Sequence, residues 1–349
     1  MRCHIALNRP IDLERIAQEA LTYQCPRFAT GMLGQRLGAT IHKPELYSVS
    51  PLDKIYSKIA GQPQQWALGR VLADQLDRND LIFCPGEDIG IAVATVCGAK
   101  HRPKVAVFFH NIDRPRGRVA LKLFRLAERI DLFIVCAHPQ ADFLRRYLNL
   151  PEHRVLFVWD QTDLKFFTPG AQSPNKTRPL VVSVGLEKRD YRLLAEATKD
   201  LEIDVKISGF SQDASVIART FPQPMPANMS RQFYKWPDLV QLYRDADVVV
   251  VSLVENSYAA GVQALMEAMA CRRPVIVTRT KGLAEYISDS NAITSVEPGN
   301  ALELQQAITH LLNHPQEAEA KAQRGYQLAL ERHNSEKYVE VIAQRLQSL

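Results

Sequence analysis

Short runs of apolar, mostly β-branched residues alternate along this chain with longer stretches whose apolar positions recur at helical spacing. A run that is apolar at every position suits a strand buried on both faces, so the alternation predicts parallel sheets covered by helices, an α/β protein. In the first half the strand candidates are residues 3–7, 80–84, 104–109, 131–136 and 155–158, with a weaker one at 40–42. In the second half they are residues 180–184, 203–208, 248–253, 274–278 and 292–296. Between the halves, the stretch from Thr168 to Thr177 holds Pro169 and Pro174 and has no apolar period, which reads as an exposed connection. The expected organisation is a first domain over 1–168, a linker over 169–178, a second domain over 179–332 and a terminal helix over 333–349. That helix carries Tyr338, Ile342 and Leu346 on one side and is free to pack back on the first domain. No internal repeat appears, and two doubly wound sheets facing a cleft are the simplest arrangement.

Composition narrows the class. The chain's 349 residues suit two domains of ordinary size, each able to bury a core. Hydrophobic residues make up 46% and charged residues 23%, the balance of a soluble globular protein, and no apolar run is long enough to cross a bilayer. The N-terminus lacks the apolar core of a signal peptide, so a cytoplasmic protein is expected. The six cysteines include no Cys-x-x-Cys pair, and several lie inside strand candidates, as reduced core residues do. A net charge of +5 is too mild to argue for nucleic acid.

Ligands of such sheets collect at the carboxyl ends of the strands, so the loops that follow strands are where chemistry is expected. After the buried run from Val248 the chain reads Tyr258-Ala259-Ala260-Gly261-Val262 and enters a helix. The small side chains there leave backbone amides and the positive helix end open to a phosphate. Glu267, one and a half turns further on, is placed to accept hydrogen bonds from a ribose diol. A tight strand-to-helix turn with a partly buried glutamate is the structural alternative. After the strand at 180–184 comes Gly185, followed by Lys188, Arg189 and Arg192. Cations there can neutralise a departing diphosphate.

The segments from Val181 to about Arg332 resemble, in order, the donor domain of the family-4 retaining glycosyltransferases. They are strand-Gly with basic residues, Pro237 to Asp247, Gly261 to Ala270, Pro274 to Thr278 and Gly282 to Tyr286. The first half is similar more loosely, through Val107 to Asn111 and Asp163 to Pro169. The resemblance implies a GT-B fold, two Rossmann-like doubly wound domains, with a nucleotide-sugar donor as substrate and no cofactor. It implies retaining, metal-independent hexosyl transfer to a glycan, lipid-linked or small-molecule acceptor. Glu267 matches the second glutamate of the family's E-x7-E motif, Lys188 and Arg189 its diphosphate-binding cations, and His110 its histidine beside the transferred sugar. Gly185, Ala259, Ala260, Gly261 and Val262 complete the implied donor loops. The motif's first glutamate falls at Ala259, and Glu255 can replace it only if the loop bulges. The family's Gly-Gly loop after the first strand is also missing, since Asn8, Arg9 and Pro10 follow Leu7. Asn228, Ser230 and Arg231 are candidates for reading base and sugar. Asp245 and Asp247 flank a helix end and are not expected to hold a metal.

Residues 100–129 hold nine Lys or Arg against Asp113 and Glu128. Within them Arg118, Lys122, Arg125 and Arg129 recur at helical spacing, with Val119, Leu123, Leu126 and Ile130 one residue on. One account is a surface helix whose apolar stripe enters the core. The other is peripheral contact with an anionic membrane at its inner face through Arg118 to Arg129. Two rival functions remain at this point: a nucleotide-sugar epimerase of similar two-domain fold, and a non-catalytic sugar- or nucleotide-binding protein.

Overall fold

The computed structural model describes residues 1–174, 176–210 and 220–349; Asn175, in the expected linker, lies outside the described residues. The chain divides into two compact units, Met1–Ala17 with Phe28–Trp159 and Glu336–Leu349, and Gln18–Arg27 with Asp160–Ser335. The expected linker segment lies inside the second unit, where Ser173 binds the Asp245 carboxylate and Lys176 Nζ sits 2.6 Å from Asp247. Both acids thus anchor the approach to the unit's first strand, whose Leu180 amide also donates to Asp247.

The first unit is built on strands β1 (Arg2–Ala6), β2 (Thr40–His42), β3 (Asp80–Cys84), β4 (Lys104–Phe109), β5 (Leu132–Val135) and β6 (Val155–Phe157). All pair in parallel, in the order β2-β1-β3-β4-β5-β6. Its helices are α1 (Leu13–Leu21), which runs on into the second unit, α2 (Ala29–Leu37), α3 (Pro51–Tyr56), α4 (Pro63–Gln75), α5 (Glu87–Cys97), α6 (Pro115–Leu123), α7 (Leu126–Arg129) and α8 (His138–Leu148). Every residue of β3 and β5 is buried, because helices cover both faces of a parallel sheet. Trp66, Ile82, Val107, Phe109 and Phe133 are among the side chains that fill the core beneath.

The continuous helical period expected across residues 118–130 breaks at Arg125, whose φ of 49° is left-handed. The break splits the stretch into α6 and α7 and separates its apolar positions. Leu126 and Ile130 are buried, but Val119 and Leu123 face solvent, so the account in which the whole stripe enters the core is corrected.

The second unit holds β7 (Leu180–Val184), β8 (Asp204–Ser208), β9 (Met229–Arg231), β10 (Val248–Val251), β11 (Val275–Thr278) and β12 (Ile293–Val296). These too are all parallel, in the order β12-β11-β10-β7-β8-β9. Helices α9 (Tyr191–Thr198), α10 (Trp236–Asp245), α11 (Val262–Ala270), α12 (Ala301–Asn313) and α13 (Pro315–Arg332) flank it, and α14 (Ser335–Gln347) returns the chain to the first unit. There the Tyr338 ring lies 6.4 Å from that of Phe108. The edge strand β9 is an addition to the sequence reading. Only its Met229 is buried, and three residues are too few to show a period.

This strand order fixes where a ligand can sit. The chain winds outward from β7 through β8 to β9, then crosses back to β10 beside β7 and winds the other way. The reversal leaves a crevice outside the carboxyl ends of β7 and β10, the switch point at which doubly wound sheets hold ligands. No described helix is long and apolar enough to cross a membrane.

Candidate active site

Two loops meet at the switch point. The first runs from Gly185 to Asp190, where the Asp190 carboxylate caps α9 by accepting from the Leu193 amide at 3.0 Å. The second runs from Ser252 to Gly261 and leads into α11. An antiparallel bridge joins Arg189 to Leu253, and the Asp190 amide donates to Ser252 O at 3.0 Å while the Val254 amide donates to Lys188 O at 3.0 Å. Tyr258 also reaches across, its hydroxyl donating to the Glu187 carboxylate.

Arg189 is the pin between these loops. It is 6% exposed, and its guanidinium donates to Val184 O at 2.9 Å and to Glu187 O at 3.0 Å. Gly185, at φ 99°, is needed where the chain passes this group, since a Cβ there would sit 2.6 Å from Arg189 Nη2. Arg189 thus brings positive charge to the crevice while two of its nitrogens serve the backbone. Lys188 is half-buried, with a left-handed φ of 56°.

The amides expected to be free are partly occupied. Ala260 N–H donates to Tyr258 O at 2.7 Å, and Val262 N–H to Ala259 O at 3.3 Å. Gly261 begins α11 in the left-handed region, with no side chain capping the helix end. Glu255 is exposed, and its carboxylate lies 3.5 Å from the Lys281 amide, towards the loop after β11. Ala259 is half-buried and brings no carboxylate.

Glu267 projects from the second turn of α11 into a buried setting. Tyr243 of α10 donates its hydroxyl to Glu267 Oε2 at 2.7 Å, while Oε1 has no hydrogen-bond partner among the described residues. Burial pushes the Glu267 carboxyl up to about 7, against the Tyr243 hydrogen bond and the charge of Arg189, which both favour ionisation. The Tyr243 hydroxyl is raised well above its ordinary value by burial and by the carboxylate.

Sequence reasoning missed Tyr243, Asn256 and Thr280. For Tyr243 the signal is the period of α10, which turns Leu239, Val240, Leu242 and Tyr243 inward, so a hydroxyl enters the core and needs a partner. Asn256 Oδ1 and Thr280 Oγ1 are buried without a partner among the described residues, in the loops after β10 and β11. Backbone contact brings those loops together: Gly282 N–H donates to Asn256 O at 3.2 Å, and the Gly282 Cα packs on the Tyr258 backbone.

Other expected residues lie elsewhere. Asn228 Nδ2 donates to Thr198 O at 2.8 Å and lines a cavity of about 430 Å3 with Arg178, Asp204 and Ser230, at the amino ends of the strands and away from the switch point. Arg231 stacks on Phe210 and Phe221, 4.5 and 3.9 Å from their ring centroids. In the first unit, exposed His110 follows β4. Its amide is held by the Glu87 carboxylate at 3.0 Å, and its Nε2 lies 3.3 Å from Pro85 O. The Asn8 carboxamide sits where a Gly-Gly loop was missing from the sequence, 3.4 Å from the Ile89 amide at the start of α5. No group of acids, histidines or cysteines suited to a metal ion occurs among the described residues.

Two six-stranded parallel sheets with flanking helices are the architecture of the GT-B class of proteins. Residues 180–314 match the family model of the group 1 glycosyl transferases, so the second unit carries a domain of that kind. Among solved structures, the chain is similar to sucrose-phosphate synthase from Thermosynechococcus elongatus, at 17% identity and TM-score 0.76 over 100% of this chain and 99% of that one. It is similar to HepE from Anabaena in complex with UDP-glucose, at 16% identity and TM-score 0.71 over 100% of both chains. A glycosyltransferase from Rickettsia africae matches at 10% identity and TM-score 0.70, over 99% of this chain and 98% of that one. No curated protein matches this sequence.

Proposed function

We propose that this protein is a metal-independent, retaining glycosyltransferase that takes a hexose from a nucleoside-diphosphate sugar bound by the second unit. The observation that carries the reading is the Glu267 carboxylate, set beside the switch point with Oε1 open to the two donors of a ribose diol. The diphosphate would lie between Gly185 and the start of α11, where Lys188, Arg189 and the helix terminus supply the positive charge that a divalent ion provides in other enzymes. The sugar would complete the missing hydrogen bonds of Asn256 and Thr280. His110 is the candidate catalytic group of the first unit. With retention of configuration, the departing diphosphate assists removal of the acceptor proton on the same face of the sugar. The acceptor class is a glycan, a lipid-linked glycan or a small molecule, and the site of action is the cytoplasm.

A melting-temperature screen with UDP, GDP and ADP tests donor binding. A ligand that binds at 100 times its Kd raises stability by about 2.7 kcal/mol, whereas no shift with any of them removes the reading. UDP is the first probe, because the similar fold of HepE was solved with UDP-glucose. Since ribose hydroxyls donate to a carboxylate, affinity should rise with pH up to about 7 and level off above it, following Glu267. Tyr243→Phe removes an interaction that favours the ionised form, so the midpoint should move to higher pH, and the stability loss should be about 1–2 kcal/mol. A pH profile of nucleotide affinity that is identical in the variant contradicts this.

The two cations separate in the same assays. Lys188→Ala should lower kcat by about 100-fold with little change in melting temperature. Arg189→Ala also orphans the carbonyls of Val184 and Glu187 and should cost about 2 kcal/mol of stability. Equal behaviour of the two variants would refute the division of roles.

A binding protein without transfer is the second reading. Ala259 in place of a glutamate and the bonded Ala260 amide favour it. Nucleotide-sugar binding with no turnover across an acceptor panel would select it.

A further inference from the structure

Five large apolar side chains of the first unit face water on two neighbouring helices. On α6 they are Val119 at 54% exposure and Leu123 at 57%; on α3 they are Leu52 at 57%, Ile55 at 54% and Tyr56 at 37%. Single exposed apolar residues are ordinary, but five of them on two helices that meet through Tyr56 and Phe124 point to an interaction site. The helices are joined at one end, where the Tyr56 ring meets Phe124, the residue closing α6, edge-on at 5.9 Å. Both also rest on Trp66, at 5.0 and 5.3 Å between ring centroids.

The mount is rigid. Pro51 opens α3, and Ser50 and Asp53 cap it reciprocally. The buried Asp53 carboxylate is in turn held by Arg70 of α4 at 2.7 Å.

The same two stretches of chain, 51–58 and 115–125, also carry exposed Lys54, Lys58, Arg116, Arg118, Lys122 and Arg125. Asp113 neutralises Arg118 and Glu128 neutralises Arg125, each at 2.7 Å, and Lys122 lies over the Tyr147 ring at 4.9 Å. Lys54, Lys58 and Arg116 have no carboxylate partner among the described residues. The cations available to a partner therefore come from α6 and from α3 with the turn after it, and Lys54 and Lys58 lie outside the basic stretch at 100–129.

We infer that α3 and α6 together form a docking face for an anionic lipid surface. Leu52, Ile55, Val119 and Leu123 enter the acyl boundary, while Lys54, Lys58, Arg116 and Lys122 meet the headgroup phosphates. Charge decides against a second copy of this chain, because a two-fold contact would set the same uncompensated cations against each other. A nucleic acid would satisfy the cations but leave the apolar side chains in water. The inference rests on surface chemistry alone and is independent of donor binding.

Flotation with phosphatidylcholine vesicles containing roughly one-third phosphatidylglycerol tests it. Two variants carry the test, K54Q/K58Q/R116Q/K122Q and L52S/I55S/V119S/L123S. The wild-type protein should float with these vesicles and bind pure phosphatidylcholine far more weakly. The charge variant should lose roughly 100-fold or more in partitioning, and the apolar variant at least about 10-fold. Both should keep the wild-type melting temperature and its shift with UDP, which separates this result from any failure of the donor site. A wild-type protein that stays with the soluble fraction overturns the inference. So does equal binding to neutral vesicles, or a variant that floats like the wild type.

Discussion

Replacing Glu267 by glutamine should stabilise the ligand-free protein at pH 8 and, at the same time, weaken its binding of nucleotide by about 100-fold. The two effects share one cause. Burial lifts this carboxyl from an ordinary 4.5 to about 7. Below pH 4.5 it is protonated in the folded and the unfolded chain alike, so it has no net effect. Between 4.5 and 7 the unfolded chain releases the proton while the folded one keeps it, and stability falls by about 1.4 kcal/mol per pH unit. Above 7 both forms are ionised, and the accumulated cost levels off at about 3 kcal/mol. Glutamine carries no charge to bury and can still accept from Tyr243. Its advantage should be largest at pH 8 and should nearly vanish by pH 5. Denaturant unfolding at the two pH values checks this; a variant less stable than wild type at pH 8 would mean that the carboxylate is well solvated. The lost affinity follows because the one carbonyl oxygen of glutamine stays on Tyr243 and its amide NH2 turns to the ribose, so the two charge-assisted hydrogen bonds donated by the diol are lost, about 3 kcal/mol together. A group that destabilises its own fold yet serves a ligand is what a binding site retains.

Gly282→Ala should cost about 3 kcal/mol or more and disable the donor site with it. A Cβ at this position would lie 1.9 Å from Tyr258 O and 2.5 Å from Tyr258 N, both backbone atoms that no rotamer change can move. Relief requires moving one loop against the other, in a region where the Gly282 amide is already bonded to Asn256 O. The loop that would shift is the one carrying Ala259, Ala260 and Gly261. Gly299→Ala is the control, since its φ of 74° strains alanine but open space surrounds it. About 1 kcal/mol is expected there, with nucleotide affinity unchanged. Similar stability losses in the two variants, or intact nucleotide binding in Gly282→Ala, would show that the two loops are not tightly coupled.

The sheets were legible in the sequence because their strands are buried on both faces, so runs such as Val248–Val251 stand out without any partner being known. β9 was hidden for the opposite reason, being a half-exposed edge of three residues. The break at Arg125 was hidden because the helical period continues through it, and nothing in an arginine announces a left-handed turn. Gly185, Gly261 and Glu267 could be placed near the switch point from their positions after strands β7 and β10. Tyr243 could not, because its role depends on how α10 lies over α11, a tertiary fact. The opening of Ala260's amide was over-read: small side chains expose a backbone, but they also let it turn back and satisfy itself, as Ala260 does on Tyr258 O.

In the proposed reading, the second unit grips the ribose of a nucleoside diphosphate through Glu267. Calorimetric titration of the wild-type protein and Glu267→Ala with UDP, GDP and ADP at pH 8 tests it most directly. Saturable binding of at least one nucleotide to the wild type is expected, with affinity about 100-fold lower in the variant. Wild-type protein that binds none of the three, or a variant that binds as tightly as wild type, would contradict it.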